Sequence, residues 1–254
     1  MPLQLEFVRR IPETADIHSF YFEPTPGFSF TAGQYLLCTL PHEPADDRGT
    51  ERAFTIASSP SERLVRITTR LSRESSTFKG ALMGLAPGGV IEAGGPYGSF
   101  SLHAEPGPAV FIAGGIGITP FRSILGDLAA SGDRRDITLL YSSSTPQIAF
   151  RAFLDNLAIS WPGLHVVYTV TRPSSGWDAV TGRIDAELIE RYMPAGGPTF
   201  YVCGPTGLVD GIRSTLTESG VDAQHVVHES FPGYEGRDPS EAVIPSTVLG
   251  QTAR

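Results

Sequence analysis

Up to about residue 100, the chain contains short stretches in which apolar and polar residues alternate. Because neighbouring side chains of a strand face opposite sides of a sheet, this alternation predicts β-strands. The predicted strands are 3–8, 17–22, 35–40 and 64–69. Turn-rich segments such as 41–49 separate them, and one short helix is predicted at about 76–85. Short strands at this spacing indicate a small antiparallel β-barrel.

Beyond His103, short apolar runs alternate with segments of helical periodicity. The runs predict strands at 109–113, 137–142, 164–170, 199–202 and 225–230. The intervening segments predict helices at 119–131, 147–157, 185–192 and 206–219. Such strand–helix alternation is typical of an α/β fold with a parallel sheet. We therefore predict an antiparallel β-barrel domain at 1–104, an α/β parallel-sheet domain at 105–231 and a polar C-terminal tail at 232–254.

The charge and composition narrow the function classes. A formal net charge of −8 over 254 residues argues against broad nucleic-acid binding. No apolar run approaches the roughly 20 residues of a membrane-spanning helix, and the first residues lack the features of a signal peptide. Cys38 and Cys203 show no metal-ligand spacing. We expect a cytoplasmic monomer without a metal site and without nucleic-acid or membrane partners.

A glycine-rich loop at 113–120 follows the first strand of the α/β half and opens a helix. Glycines let the backbone approach a pyrophosphate closely, and the free amides at a helix start favour an anion. Thr119 is expected to cap the helix, and Pro120 suits its first turn. The spacing differs from the Rossmann pattern, so a tight turn without a ligand is the alternative.

A Cys-Gly-Pro turn at 203–205 ends the fourth strand of this half. Because ligands bind beyond the carboxyl ends of parallel strands, this turn and the 113–120 loop are expected at one edge. A helix N-terminus beside Cys203 tends to lower the pKa of its thiol. The alternatives are a buried small residue or a catalytic nucleophile, and the nucleophile lacks a histidine nearby in sequence.

The segment 52–58 combines an arginine, an aromatic ring and a hydroxyl. Alternation places Arg52, Phe54 and Ile56 on one side of a strand. An arginine pairs with phosphate, a ring offers a stacking face and a hydroxyl donates to a ring nitrogen. The alternative is an ordinary strand with a surface arginine. Residues 94–100 form another dense turn, which a loop closing the barrel would also explain.

Four motifs then occur in one order along the chain: Arg-x-Phe-Thr at 52–55, Gly-Pro-Tyr-Gly-x-Phe at 95–100, Gly-Gly-x-Gly-x-Thr-Pro at 114–120 and Cys-Gly-Pro at 203–205. In this the chain resembles the ferredoxin–NADP⁺ reductase superfamily over almost its whole length. The resemblance implies a stand-alone flavoprotein reductase without a fused iron–sulfur domain. It would bind FAD together with NADH or NADPH and pass a hydride between them.

The resemblance also implies roles in FAD binding. Arg52 would hold the pyrophosphate, Phe54 would replace the family's usual tyrosine against the isoalloxazine, and Thr55 would face the flavin N5. Further FAD-binding positions are Ala53, Ile67, Thr68 and Thr69 along the flavin and Ser75, Ser76 and Thr77 at the phosphate.

For the nicotinamide nucleotide, the resemblance implies a pyrophosphate site at Gly114, Gly115, Gly117 and Thr119. Cys203, with Gly204 and Pro205, would lie near the nicotinamide C4, and this contact is favoured over covalent chemistry. Glu229 and Phe231 resemble the family's acidic and aromatic residues near the flavin. Thr55, Cys203 and Glu229 are thus the candidate catalytic residues, although Thr55 and Glu229 would tune the flavin instead of acting as acid or base.

Ser142 and Ser143 follow the second parallel strand, where relatives often place an arginine, and this favours NADH. The electron acceptor is expected to be separate: a ferredoxin, an oxygenase component, a haem protein or a small molecule. A group of basic residues is a candidate docking surface, with a solvated face or FAD-phosphate contacts as alternatives: Arg63, Arg66, Arg70, Arg73 and Lys79. Two other functions stay open, a flavin-bound carrier or regulatory subunit without NAD(P)H turnover and a free-flavin reductase.

Overall fold

A computed structural model describes residues 3–71, 75–103 and 107–231. The first half is a six-stranded antiparallel sheet in the order β4-β3-β6-β1-β2-β5. Its strands are β1 (Leu3–Pro12), β2 (Ile17–Pro24), β3 (Tyr35–Thr39), β4 (Glu51–Thr55), β5 (Val65–Arg70) and β6 (Val90–Tyr97), with helix α1 (Thr77–Gly84) before β6. A bridge between Ile56 and Ile67 joins the two edge strands and curls the sheet towards a barrel.

The second half is a six-stranded parallel sheet in the order β10-β9-β8-β7-β11-β12. Its strands are β7 (Ala109–Gly114), β8 (Ile137–Ser143), β9 (Leu164–Val170), β10 (Val180–Thr181), β11 (Thr199–Pro205) and β12 (Val226–Phe231). Its helices are α2 (Thr119–Ser131), α3 (Arg151–Ser160), α4 (Ala186–Tyr192) and α5 (Thr206–Glu218), with short 3₁₀ turns at Gly115–Ile118 and Ala223–His225. The predicted fold class, a β-barrel followed by a parallel α/β sheet, is confirmed.

One hydrophobic cluster, the shared core, contains residues of both halves, in addition to a separate cluster within each half. Ala57 and Phe100, from the barrel side, belong to the same buried cluster as Phe111 and Phe121 of the parallel half. Phe100 contacts Phe121 edge to face, with ring centroids 5.6 Å apart. Burying such rings removes a large apolar area from water, so the seam between the sheets is a packed interface.

Hydrogen bonds at the start of α2 add to this interface. Arg122 is 5% exposed; its Nη1 donates to the Ala57 carbonyl at 3.0 Å and also binds the Glu62 carboxylate. Ser123 Oγ donates to the Ser58 carbonyl at 2.6 Å. A buried arginine needs such partners because an unpaired guanidinium costs several kcal/mol in a protein interior.

Two local predictions are wrong. Strand β6 extends through Tyr97, because a shift in its pairing with β3 and the positive φ of Gly95 (125°) carry the strand through the predicted 94–100 turn. Helix α3 begins at Arg151 and not at 147, since Phe150 adopts a left-handed conformation with φ 60°. The predicted domain boundary at 104–105 and the predicted tail at 232–254 lie outside the described residues.

Within the described ranges, no helix is long and apolar enough to cross a membrane.

Candidate functional site

The glycine loop and the Cys-Gly-Pro turn touch each other at the carboxyl edge of the parallel sheet. A Cβ on Gly117 would lie 2.3 Å from the Cys203 carbonyl oxygen, and one on Gly204 would lie 3.1 Å from the Gly114 backbone nitrogen. Close backbone packing therefore favours glycine at 117 and 204, and a Cβ on Gly114 would lie 2.6 Å from the Leu208 side chain, whether or not a ligand binds. This supports the expected shared edge, and it also shows that three of the motif glycines have a structural reason.

Gly115 is different, because its surroundings are open. It has φ +55°, and the nearest atom to a Cβ built there is Arg70 Nη2 at 3.9 Å. A positive-φ backbone facing free space beside a guanidinium fits an anionic group. Arg70 lies at the end of β5, and its Nε is 3.1 Å from Asp16 Oδ2. The sequence prediction grouped Arg70 with a docking surface because nothing local indicates that β5 ends beside the glycine loop.

Thr119 does not cap α2, and that prediction is wrong. The cap position is Ile118, which has no side-chain capping bond, while Pro120 occupies the first turn as expected. Thr119 is 2% exposed and its Oγ1 donates to the Ile116 carbonyl at 3.0 Å. The preceding 3₁₀ turn shifts Thr119 into the helix, so its hydroxyl stabilises the loop from inside.

In the barrel, Arg52 is 4% exposed, so the alternative of a surface arginine is wrong. Its Nη1 donates to the Gly49 carbonyl at 3.1 Å, and its Nη2 is 3.4 Å from Asp46 Oδ1. Phe54 is also buried, with its ring centroid 5.7 Å from that of Phe78, whereas Ala53 points outward. Burial alternates as expected from Glu51 to Phe54, whereas Thr55, the next residue, is also buried.

The start of α1 is built from hydroxyls, as the sequence suggested. Ser76 caps the helix, accepting from the Lys79 amide, and Ser75 precedes it half-buried. Thr77 Oγ1 accepts from the Asp46 amide at 3.0 Å, and the Thr77 amide donates to Asp46 Oδ2 at 2.9 Å. Desolvation acts to raise the pKa of Asp46, but bonds from the Arg48 side chain and the Thr77 amide outweigh it and hold that pKa at about 2. Asp46 thus stays ionised and ties the 40–49 loop to α1.

Buried side chains lie on both faces of β5. Ile67 is fully buried, and Thr68 Oγ1 is 2.8 Å from Ser19 Oγ. Thr69 is 4% exposed. Because β5 is an end strand of its sheet, beyond the bridge at Ile67 the backbone edge of residues 68–70 has no strand partner among the described residues. That edge offers amides and carbonyls to a planar ring, which agrees with a backbone role for this segment.

Cys203 and Glu229 lie side by side in register on β11 and β12. Cys203 is fully buried, and burial, followed by the Glu229 carboxylate, raises the pKa of its thiol well above the ordinary value. The expected lowering of this pKa is therefore wrong, because desolvation outweighs the nearby helix N-terminus. A neutral thiol makes covalent catalysis by Cys203 unfavourable at neutral pH.

Glu229 is partly buried, and its Oε2 is enclosed without a hydrogen-bond partner in the described structure. Burial raises the pKa of this carboxyl to about 7. Burial, and then the charge of Glu229, raises the pKa of Tyr35, which pairs in register with Thr55 on the neighbouring strand. Tyr35, beside Thr55 on the barrel, thus lies close enough to the parallel sheet to be affected by the charge of Glu229, and sequence reasoning missed it.

The remaining predicted positions lie along the same edge. Ser142 and Ser143 are buried at the end of β8, where Ser142 is in register with Gly114 and Ser143 Oγ accepts from the Thr145 amide at 3.4 Å. Pro205 is exposed at the end of β11, opposite Phe231, which packs against the shared core.

The predicted basic docking surface does not form one exposed face. Arg63 is exposed and paired with Glu23, whereas Arg66 is half-buried over the Tyr21 ring at 4.5 Å. Arg70 faces the glycine loop, Lys79 is half-buried in the first turn of α1, and Arg73 lies outside the described residues. These basic residues are close in sequence but lie at different places, because side chains alternate in direction along β5 and because Lys79 belongs to α1.

Comparisons with known proteins agree with this arrangement. The family described as "Oxidoreductase NAD-binding domain" matches residues 111–214. Ferredoxin–NADP reductase B of Sorangium cellulosum is 29% identical over 243 residues, a match covering 91% of this chain and 98% of that protein. The flavohemoprotein of Deinococcus radiodurans is 28% identical over 257 residues, 95% of this chain but 60% of the relative. The chain therefore spans about three fifths of the length of such relatives.

A solved structure shows the same fold. The flavohem-like FAD/NAD-binding domain of nitric oxide dioxygenase from Vibrio cholerae has a TM-score of 0.81 and 22% identity. The match covers 91% of this chain and 99% of that domain.

Proposed function

Since the chain belongs to the ferredoxin–NADP⁺ reductase superfamily, we propose that it is an NAD(P)H-dependent flavoprotein reductase that delivers electrons to a separate acceptor. One observation carries this proposal. The open, positive-φ Gly115 beside Arg70 lies at the same seam as Glu229, Tyr35 and Thr55. Two cofactors bound at these places would meet where the two sheets join.

The residues present fit both cofactors. Arg52 and the hydroxyl-lined start of α1 suit the pyrophosphate of FAD, and the edge of β5 that has no strand partner among the described residues suits its ring. Gly115 and Arg70 suit the pyrophosphate of the nicotinamide nucleotide. When bound, FAD supplies hydride acceptance and electron release, while the protein supplies orientation. Cys203 contributes a small, neutral, water-free contact at the carboxyl edge.

We propose NADH as the preferred nucleotide. The hydroxyls of Ser142 and Ser143 lie at the end of β8, and neither carries a charge for a 2′-phosphate. The nearby Arg151 is already engaged: its Nε is 3.5 Å from Asp155 Oδ2, and its guanidinium lies 5.3 Å from the Tyr168 ring centre. An engaged cation contributes less to binding a phosphate.

Anaerobic reduction tests the function directly. Purified protein should retain FAD through gel filtration, and NADH should remove the visible absorbance of the flavin faster than NADPH does. With an artificial electron acceptor added to allow turnover, kcat/KM should be higher for NADH than for NADPH. Retention of FAD distinguishes this function from that of a free-flavin reductase, which releases its flavin. Reduction of the flavin by NADH distinguishes it from a carrier subunit, whose flavin is reduced only by a partner protein. Protein that neither carries FAD nor takes it up on reconstitution would refute the proposal.

We propose a one-electron acceptor of the ferredoxin or haem-protein class. Support comes from the relatives, one named a ferredoxin–NADP reductase and the other a flavohemoprotein of which this chain matches 60%. Supplying the NADH-reduced protein with an isolated ferredoxin or a haem protein, and following the visible spectrum of each, distinguishes the two classes. Reduction of neither, with rapid reduction of small quinones, would point instead to a small-molecule acceptor.

A further inference from the structure

Lys79 is the only lysine in the chain, and the proposed chemistry has so far given it no role. It lies in the first turn of α1, where its amide donates to the capping hydroxyl of Ser76. Its Nζ donates to the Arg70 carbonyl at 2.8 Å. The ammonium group is thereby fixed between the start of α1 and the end of β5.

The charged surroundings of Lys79 are unusual for a half-buried ammonium. Three guanidinium groups act on it, those of Arg52, Arg48 and Arg70. In the part of the chain that the structure describes, no carboxylate lies within ion-pair distance of its Nζ. The three arginines have carboxylate partners, Asp46 for Arg48 and Arg52 and Asp16 for Arg70, whereas Lys79 has none in the described structure. A phosphate beside this partly desolvated ammonium would stabilise its charge.

Resting on the proposed function, we propose that Lys79 is a direct ligand of the FAD pyrophosphate and that it makes FAD binding weaken as the pH rises above neutrality. Arg52, whose charge has the largest effect of the three on Lys79, is the residue for which the family resemblance implies the same pyrophosphate. Ser76, the cap of the helix that carries Lys79, is a second residue implied at that phosphate. A lysine acts on phosphate as a compact point charge, so it adds to the arginine without needing paired geometry.

Burial, and then the charges of Arg52, Arg48 and Arg70, lowers the pKa of Lys79 to about 8. The bound anion would favour the charged form, so FAD binding and proton uptake are linked. Proton uptake should rise from about 0.1 at pH 7 to about 0.9 at pH 9, the neutral fractions that such a pKa dictates.

Other ionisable groups face this site and must be separated from Lys79. Asp46 and Asp16 approach from the 40–49 loop and the β1–β2 turn, and His42 Nε2 is 2.8 Å from Thr77 Oγ1. Replacing Lys79 alone isolates its contribution, because these groups are the same in every variant. Lys79→Met removes the charge at similar length, and Lys79→Arg keeps a charge that does not titrate in this range.

The first experiment measures FAD affinity of the deflavinated protein from pH 7 to 9.5. In the natural protein, the FAD Kd should rise by up to about tenfold per pH unit above pH 8. In Lys79→Arg the Kd should stay flat, and in Lys79→Met it should be flat and already raised at pH 7. An equal slope in all three proteins overturns the proposal, whereas no FAD binding by the natural protein at any pH would overturn the proposed function instead.

A second experiment uses the natural protein alone, so it does not depend on a variant folding. An amine-acylating reagent modifies one lysine-containing peptide, which mass spectrometry follows directly. FAD should slow this modification at least about tenfold at pH 8, while riboflavin, which lacks the pyrophosphate, should not. Equal rates with and without bound FAD would show that Lys79 is not at the cofactor.

Discussion

Glu229 combines a carboxylate oxygen that is enclosed without a partner among the described residues with a pKa raised to about 7 by burial. The folded state therefore binds more protons than the unfolded state between about pH 4.5 and 7. The stability that this group contributes is present below that range and is lost as the pH rises through 7. Above neutrality, the protein holds a partly desolvated charge at its seam.

Glu229→Gln should consequently stabilise the protein at pH 8 by about 2 kcal/mol, less than the full shift implies because the group is partly solvated. Near pH 4.5 the two proteins should unfold at the same denaturant concentration, which urea titration at both pH values measures. Glu187→Gln on the exposed face of α4 is the control, with a change below about 0.5 kcal/mol. A gain of equal size at both pH values would contradict the assignment.

At the scale of elements, two glycines allow the cost of backbone strain to be measured separately from the loss of a ligand contact. Gly115 and Gly132 both have positive φ, +55° and +80°, and at neither position would an added Cβ meet another atom closer than 3.9 Å. Alanine at either position should cost about 1–2 kcal/mol of stability. Only Gly115→Ala should also weaken NADH binding, because only that position faces the proposed phosphate site. Denaturant unfolding and an NADH titration of both variants check this, and equal NADH affinities would contradict it.

The sequence predicts these elements better than it predicts their meeting points. Alternation located β4 and β5, and the motif at 114–120 indicated a phosphate loop, because period and glycine spacing are local signals. The capping role of Thr119 failed because a 3₁₀ turn was inserted before the helix. The position of Arg70 beside Gly115, the position of Lys79 beside Arg70 and the raised pKa of Cys203 could not be predicted. Each depends on how strands that are distant in sequence place charges and exclude water.

At the scale of the whole molecule, Arg122 joins the two sheets. Its guanidinium binds the Ala57 carbonyl and Glu62 and lies 4.5 Å from the Phe153 ring centre. Arg122→Met should lower the free energy of unfolding by about 3 kcal/mol, because it leaves the Ala57 carbonyl and the Glu62 carboxylate at the seam without their hydrogen-bond donor. Both tryptophans, Trp161 and Trp177, belong to the parallel half, whereas bound flavin reports on the barrel.

Urea unfolding of the natural protein should therefore give coincident tryptophan and flavin transitions, and Arg122→Met should separate them. Arg191→Met, which breaks an exposed pair on α4, should leave them coincident. Coincident transitions in Arg122→Met would mean that the apolar core alone couples the halves.

The shared core around Phe100 also bears on how the molecule turns over. A hinge between the sheets would have to expose stacked and edge-on aromatic rings to water on every cycle. In the reductase that we propose, nucleotide and acceptor would therefore arrive and leave across a fixed edge, and the spacing between donor and acceptor would be set when the chain folds. Its turnover would then depend on how fast these molecules bind and leave and on electron transfer over a constant distance, and not on the opening of a hinge.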